Sequence, residues 1–259
     1  MGKIYALSDI HGFKSLYDQV KEFLEPDDLV IFLGDAADRG PSGWECIKAM
    51  LDDPQFIYLL GNHDLMFARS YLGPDKEHNK DLHDWNGGHY TYDAFDEDPD
   101  EQSKFWYLKR LILCPLTWHY TTKDGRKIYF SHSGAYLPTF APTGNMAQSI
   151  QDFVWDRKHI YDDAPEGVDL IVHGHTSIPS VIKKLNEVRC FENDKDILEE
   201  GDLDFVPGRT FYYAHYTKCD IDCSTITTGA TTLFDFENDI SYAFYVKGWE
   251  KDFVWREED

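Results

Sequence analysis

The sequence predicts an α/β fold. Apolar runs at residues 29 to 33, 56 to 60 and 168 to 172 are each four or five residues of strand-forming side chains, and each ends in a cluster of polar residues. Segments with apolar residues at helical spacing lie between the first of these runs, the alternation that builds parallel sheet. A chain of 259 residues, 42% hydrophobic and 15% aromatic, is also long enough to bury one large core.

Residues 3 to 8 read as the first strand, and Phe13, Leu16, Tyr17, Val20, Phe23 and Leu24 then recur on one helical face until Pro26. The second strand, 29 to 33, runs into Gly34-Asp35-Ala36-Ala37-Asp38-Arg39-Gly40-Pro41. Pro41 suits the first turn of a helix that carries Trp44, Ile47 and Leu51 on one face. The third strand, 56 to 60, leads into Gly61-Asn62-His63-Asp64. Three strands therefore present polar residues at one edge of a parallel sheet, where open α/β sheets bind their ligands.

From Leu65 to about Lys127 the periodicity loosens. A helix to Leu72 is followed by a polar stretch holding His78, His83 and His89, an acidic run from Asp93 to Glu101, and a helix ending before Pro115. This range reads as an insertion or cap. Its histidines share no helical or strand face by spacing and are expected in a solvated, partly ordered segment, and the acidic run in an exposed loop. Residues 118 to 122 and 127 to 131 form a hairpin that returns the chain to Ser131-His132-Ser133-Gly134. A helix over Met146 to Trp155 precedes Asp156-Arg157, and the strand 168 to 172 ends at His173-Gly174-His175-Thr176. Residues 192 to 204 are acidic and expected as a solvated loop. Residues 210 to 216, 231 to 236 and 241 to 247 read as antiparallel strands.

Charge and composition narrow the function. With 25 Lys and Arg against 47 Asp and Glu, the net charge of −22 argues against a nucleic-acid partner, whose phosphates need a basic surface. An anionic substrate would need a local positive site. No apolar run approaches eighteen residues and no leader precedes the first strand, so a soluble, unprocessed cytoplasmic chain with no membrane partner is expected. The five cysteines are scattered without a CxxC pair and read as packing residues in a reducing compartment.

Six residues stand out because each follows a predicted strand: Asp9, His11, Asp35, Asn62, His132 and His175. The same spacings recur elsewhere, as in Asp81-x-His83 and Gly88-His89, but not after a clear core strand. Six oxygen and nitrogen donors without a thiolate suit manganese, iron or zinc. A pair of divalent ions about 3.5–4 Å apart needs a bridging carboxylate, for which Asp35 is the natural candidate.

The motifs Asp-Ile-His-Gly (9 to 12), Gly-Asp-Ala-Ala-Asp-Arg-Gly (34 to 40), Gly-Asn-His-Asp (61 to 64), Ser-His-Ser-Gly (131 to 134) and Gly-His-Thr (174 to 176), with Val154-Trp155-Asp156-Arg157, resemble the PPP-type protein phosphatases of the calcineurin-like metallophosphoesterase superfamily, especially the lambda-phosphatase-like branch. The resemblance implies a two-sheet β-sandwich core flanked by helices, one domain over 1 to 259 with the cap within 65 to 127. It implies that Asp9, His11 and Asp35 hold one metal, and Asp35, Asn62, His132 and His175 a second, with manganese as first choice and iron, zinc or nickel as alternatives. His63 would protonate the leaving oxygen, oriented by Asp38, while Arg39 and Arg157 grip the phosphoryl oxygens beside Asn62. The residue types agree: an imidazole is readily poised near neutral pH, and the arginine fork matches phosphate bidentately.

Two departures are visible. Ser133 replaces the usual Gly or Ala, and Ser177 stands where many other metallophosphoesterases have a second His. The latter favours the protein-phosphatase-like branch. The expected activity is hydrolysis of phosphoserine or phosphothreonine, with phosphotyrosine open, by direct attack of a metal-bridging hydroxide. No obligate protein partner is implied. A hydrolase of dinucleoside polyphosphates or other small phosphoesters is the alternative, and a metal-binding scaffold without turnover the remote one.

Overall fold

The computed structural model describes residues 2–140, 146–192 and 205–247, with no account of side chains over 188–192. The acidic stretch expected as a loop over 192 to 204 therefore lies almost wholly outside the described residues.

In chain order the elements are β1 (Ile4–Leu7), α1 (Lys14–Phe23), β2 (Leu29–Phe32), α2 (Gly43–Asp52), β3 (Phe56–Tyr58), α3 (Asn62–Leu72), α4 (Lys76–Trp85), α5 (His89–Glu97), α6 (Glu101–Ile112), β4 (Thr117–Thr121), β5 (Lys127–Ser131), α7 (Met146–Val154), β6 (Leu170–His173), α8 (Ile178–Glu192), β7 (Phe211–Tyr213), β8 (Lys218–Asp220), α9 (Thr225–Thr228), β9 (Ala230–Asp235) and β10 (Ile240–Tyr245). The strands form two five-stranded sheets, ordered β10-β9-β1-β2-β3 and β4-β5-β6-β8-β7. The pairs β1/β2, β2/β3, β5/β6 and β6/β8 are parallel, whereas β9, β10, β4 and β7 join antiparallel.

The strand period of two sorts the core into layers. Ala6, Ile31, Leu33 and Leu59 of the first sheet face Phe130, Val172 and Cys219 of the second, closing the sandwich. The alternate residues Tyr5, Leu7, Val30 and Phe32 face the helices, where they meet Trp44, Ile47 and Phe67. On the outer face of the second sheet, Val181 and Leu185 of α8 cover Phe211 and Tyr213. Burying one such side chain fully is worth about 1.5–3 kcal/mol, so these layers carry most of the stabilisation.

The segment over 65 to 112 is helical almost throughout and contributes Tyr92, Phe95, Leu108 and Leu111 to the same buried cluster as Leu7 and Phe32. Three expectations change here. The acidic run is not simply a loop: α5 ends at Glu97, and only residues 98–100 separate it from α6. His83 is not solvated but fully buried, while His78 is exposed and His89 intermediate. The strand β8 has no counterpart in the pattern read from the sequence; buried Lys218 and Asp220 break its apolar run. No helix among the described residues is long and apolar enough to cross a membrane.

Candidate active site

Each candidate ligand sits just beyond the C-terminal end of a parallel strand. Asp9 and His11 follow β1, Asp35, Asp38 and Arg39 follow β2, and Asn62 and His63 open α3 after β3. From the second sheet, His132 follows β5 and His175 follows β6. The two edges are stitched together: His132 Nδ1 lies 2.8 Å from the Leu33 carbonyl, and the His175 amide donates to Asp9 Oδ2 at 3.1 Å.

The backbone is bent out of the ordinary regions to achieve this. Asp9, His11, Asp35, Asp38, Arg39 and His175 all have positive φ, between 43° and 72°. Non-glycine residues seldom adopt this conformation, which persists only where the surroundings enforce it. Asp64 supplies part of that enforcement, its carboxylate accepting from the amides of Asp35 (2.8 Å), Ala36, Ala37 and Gly61 (3.2 Å each). Gly61 and Gly174 are required by close approach, since a Cβ on either would strike the carboxylate of Asp35 or Asp9 respectively.

Around Asp35 the donors converge. Its Oδ2 lies 4.0 Å from His11 Nε2 and 3.5 Å from His132 Nε2, and Asp9 Oδ1 lies 3.9 Å from His11 Nε2. Asn62 Oδ1 is 2.8 Å from both His132 Nε2 and His175 Nδ1. Two buried groups, His11–Asp35–His63 and Asp9–Asp35–His132, each have ligand atoms within 4.8 Å of one another, and Asp35 is common to both. Those triplets differ from the expected division in drawing His63 beside His11 and His132 beside Asp9, yet Asp35 keeps the shared position.

The donor set fits a pair of cations. His11 Nδ1 and His132 Nδ1 face backbone carbonyls at 3.1 and 2.8 Å, so each donates N–H there and turns Nε2 toward the cluster, where a cation would take the place of any proton on it. His175 Nε2 is buried without a partner among the described residues. The carboxylates crowd: burial and then Asp222 push Asp9 well above its usual range, and burial pushes Asp222 up to about 6. Burial would also raise Asp35, but His132 and His63 outweigh it and hold Asp35 low. Burial likewise opposes charge on His132, and Asp35 prevails, pushing it up to about 9. Buried carboxylates at this density call for positive charge, which divalent ions supply.

The other residues singled out from the sequence ring the same spot. A cleft of about 590 Å³ is lined by His11, Arg39, Arg157, His175 and Asp222 among others. Arg39 NH1 lies 3.2 Å from His11 Nε2, and Arg157 Nε donates to Thr176 Oγ1 at 3.2 Å. His63 Nδ1 is 2.7 Å from Asp38 Oδ2. Burial and the Arg39 charge lower the His63 pKa. Burial opposes ionisation of Asp38, but His83 and His63 overcome it and keep Asp38 far below the usual carboxylate range.

All ten residues singled out from the sequence thus lie in or beside one site. Sequence reasoning missed Ser8, which donates to Asp9 Oδ2, and Asp222, His83 and Thr91. Asp64 lay within a quoted motif without an assigned part. His173, by contrast, keeps a packing place, with Nε2 2.7 Å from the Tyr213 hydroxyl. Ser133 is buried and donates to the Phe153 carbonyl at 2.7 Å, leaving His132 undisturbed.

An Asp/His/Asn centre built around Asp35 at the converging edges of two sheets, with arginines at its mouth, defines a metal-dependent phosphoester hydrolase. The chain belongs to the calcineurin-like phosphoesterase family, which it matches over residues 2–206. Serine/threonine-protein phosphatase 2 of Escherichia coli (strain K12) is 24% identical over 200 residues, 71% of this chain and 84% of that protein. Two crystal structures share the fold at 14% identity. One, described as a "putative diadenosine tetraphosphatase", has a TM-score of 0.53 and covers 96% of this chain and 95% of its own. The other, the cold-active protein-tyrosine phosphatase of a psychrophile Shewanella sp., has a TM-score of 0.52 and covers 95% and 81%.

Proposed function

We propose that the protein is a dimetal phosphomonoesterase that dephosphorylates protein side chains, phosphoserine and phosphothreonine first. The observation that carries this reading is the placement of Arg39 and Arg157 on one cleft with His11 and His175, while the His63–Asp38 pair stands behind it. Two guanidinium forks suit the equatorial oxygens of a terminal phosphoryl group. Asp9, His11, Asp35, Asn62, His132 and His175 would hold the metals, with Asp35 shared. Bound divalent ions would supply an activated water and neutralise phosphoryl charge.

The chain's own side chains account for the rest. Arg39 and Arg157 orient the phosphoryl group, with Asn62 beside them, and stabilise the charge that spreads over its oxygens. His63, fixed through Nδ1 by Asp38, delivers a proton to the departing oxygen. Ser177 at the position after Thr176, and the likeness to the bacterial serine/threonine phosphatase, support a protein substrate over a small phosphoester. The free cysteines 46, 114, 219 and 223 suit a cytoplasmic setting, and the net charge of −22 suits a partner other than nucleic acid.

The test is metal add-back to stripped protein, using Mn, Fe, Zn, Ni or Mg, on p-nitrophenyl phosphate, a phosphothreonine peptide and diadenosine tetraphosphate. Metal-restored turnover of the first two supports the reading. Turnover of the dinucleotide alone would move the function to small phosphoesters, and silence on all three with metal bound would leave a scaffold.

A further inference from the structure

We propose that His83, supplied by the helical insertion, is a positioning residue that fixes Asp38 and through it the proton donor His63. His83 Nε2 lies 2.6 Å from Asp38 Oδ2, the same oxygen that meets His63 Nδ1 at 2.7 Å, while Thr91 Oγ1 donates to Asp38 Oδ1 at 2.9 Å. All three residues, and Asp38 itself, are buried. A carboxylate only accepts, so both imidazoles turn an N–H toward Asp38. His63 is thereby committed to Nδ1–H, and Nε2 is left as its nitrogen for exchange with substrate.

The insertion also holds the backbone on which Asp38 sits. Asp38 and Arg39 have φ of 72° and 66°, a conformation that does not support itself. The Asp38 amide donates to Thr91 Oγ1 at 2.9 Å, and the Arg39 amide to the Gly87 carbonyl at 3.0 Å. His83 is itself locked: its ring packs on Phe67 and Tyr92, with centroids 5.7 and 4.7 Å away, and any Cβ on Gly88 would overlap it.

A role in packing alone does not account for these facts. His83 Nδ1 is buried with no partner among the described residues, a cost of roughly 1–3 kcal/mol that an apolar side chain would avoid. What the imidazole adds over an apolar ring is the second donor on Asp38. With that donor absent, Asp38 would be tied by Thr91 and His63 alone, and the imidazole it orients would lose its fixed direction.

The inference rests on His63 acting as the proton donor, and the experiment separates the two. His83→Phe keeps the ring volume and removes the donor, whereas His83→Gln retains an N–H near the position of Nε2. Both are compared with wild type and His63→Asn, all Mn-loaded and checked by thermal melt, on phenyl phosphate and 2,4-dinitrophenyl phosphate. The first leaving group needs a proton and the second is weakly basic. His83→Phe should lower kcat on phenyl phosphate at least about tenfold, a tenth or less of the usual acid–base contribution, with kcat on the dinitrophenyl ester and both KM values within about threefold. His83→Gln should recover most of the loss. Equal losses on both esters, or none, in a folded His83→Phe enzyme would overturn the proposal. Should His83→Phe fail to fold, His83→Gln decides: its kcat ratio between the two esters must stay near that of wild type, and a ratio as low as that of His63→Asn would overturn the proposal. If His63→Asn itself shows no preference for the better leaving group, the underlying role of His63 has failed instead.

Discussion

Asp35 and His63 are adjacent in the site yet are asked for different things, and substitution should distinguish them. Asp35 is shared by both ligand groups, so Asp35→Asn should lower both metal content and turnover, the latter by at least about a hundredfold. His63→Asn should cause a comparable loss of turnover with metal content preserved, measured by elemental analysis beside the assay; a near-normal rate in the metal-loaded variant would remove His63 from the mechanism. Arg157 reaches the cleft from the turn after α7 and donates to Thr176, so Arg157→Ala should mainly weaken phosphate binding. Inhibition by inorganic phosphate should then require about tenfold more, the loss of a charged hydrogen bond or two; unchanged inhibition would count against the assignment.

Among the helices, α2, α5 and α6 behave as one unit. Trp44 Nε1 and Lys48 Nζ, both on α2, donate to Asp98 Oδ2 at 2.8 and 2.7 Å, pinning the α5–α6 junction to the core. These donors, Lys48 first, hold the Asp98 pKa far below its usual range. Asp98→Ala should destabilise by about 1–2 kcal/mol at neutral pH, measured by urea unfolding. A carboxylate whose folded pKa is depressed contributes stability in full above its unfolded value and loses it as the pH falls through the folded one. The gap between wild type and Asp98→Ala should therefore be constant down to about pH 4 and narrow below it. The helix α4 hides its inner face from a hydropathy reading because that face is Asn79, Leu82, His83 and Asn86, spaced i, i+3, i+4 and i+7 but mostly polar.

At the scale of the molecule, the crowd of buried carboxylates makes the fold itself responsive to cations. Asp9, Asp35 and Asp222 are each at most 6% exposed and mutually repulsive when ionised. Removing metal with a chelator should lower the melting temperature, and Mn returned at a hundredfold excess over Kd should stabilise by about 2.7 kcal/mol, roughly 5–10 °C for a chain of this size. Differential scanning fluorimetry measures this without reference to activity. Asp35→Asn should lose most of the gain, whereas the exposed His78→Ala should keep it.

The sequence by itself determined the strands that carry the site and the six candidate ligands, while its resemblance to a known family pointed to His63, Asp38, Arg39 and Arg157. The six were legible because each lies just after an apolar run, where a local pattern fixes both the element and its end. The same logic located β1, β2, β3 and β6 within a residue or two. Only the tertiary structure decided which distant side chains complete them. The His83 and Thr91 contacts with Asp38 span 45 and 53 residues, and the Asp222 carboxylate arrives from beyond a strand whose own pattern was obscured by buried Lys218 and Asp220. Such contacts leave no periodicity behind, because a polar side chain is buried only when its partner is already in place, and that partner is set by the packing of sheets and helices rather than by its neighbours in the chain.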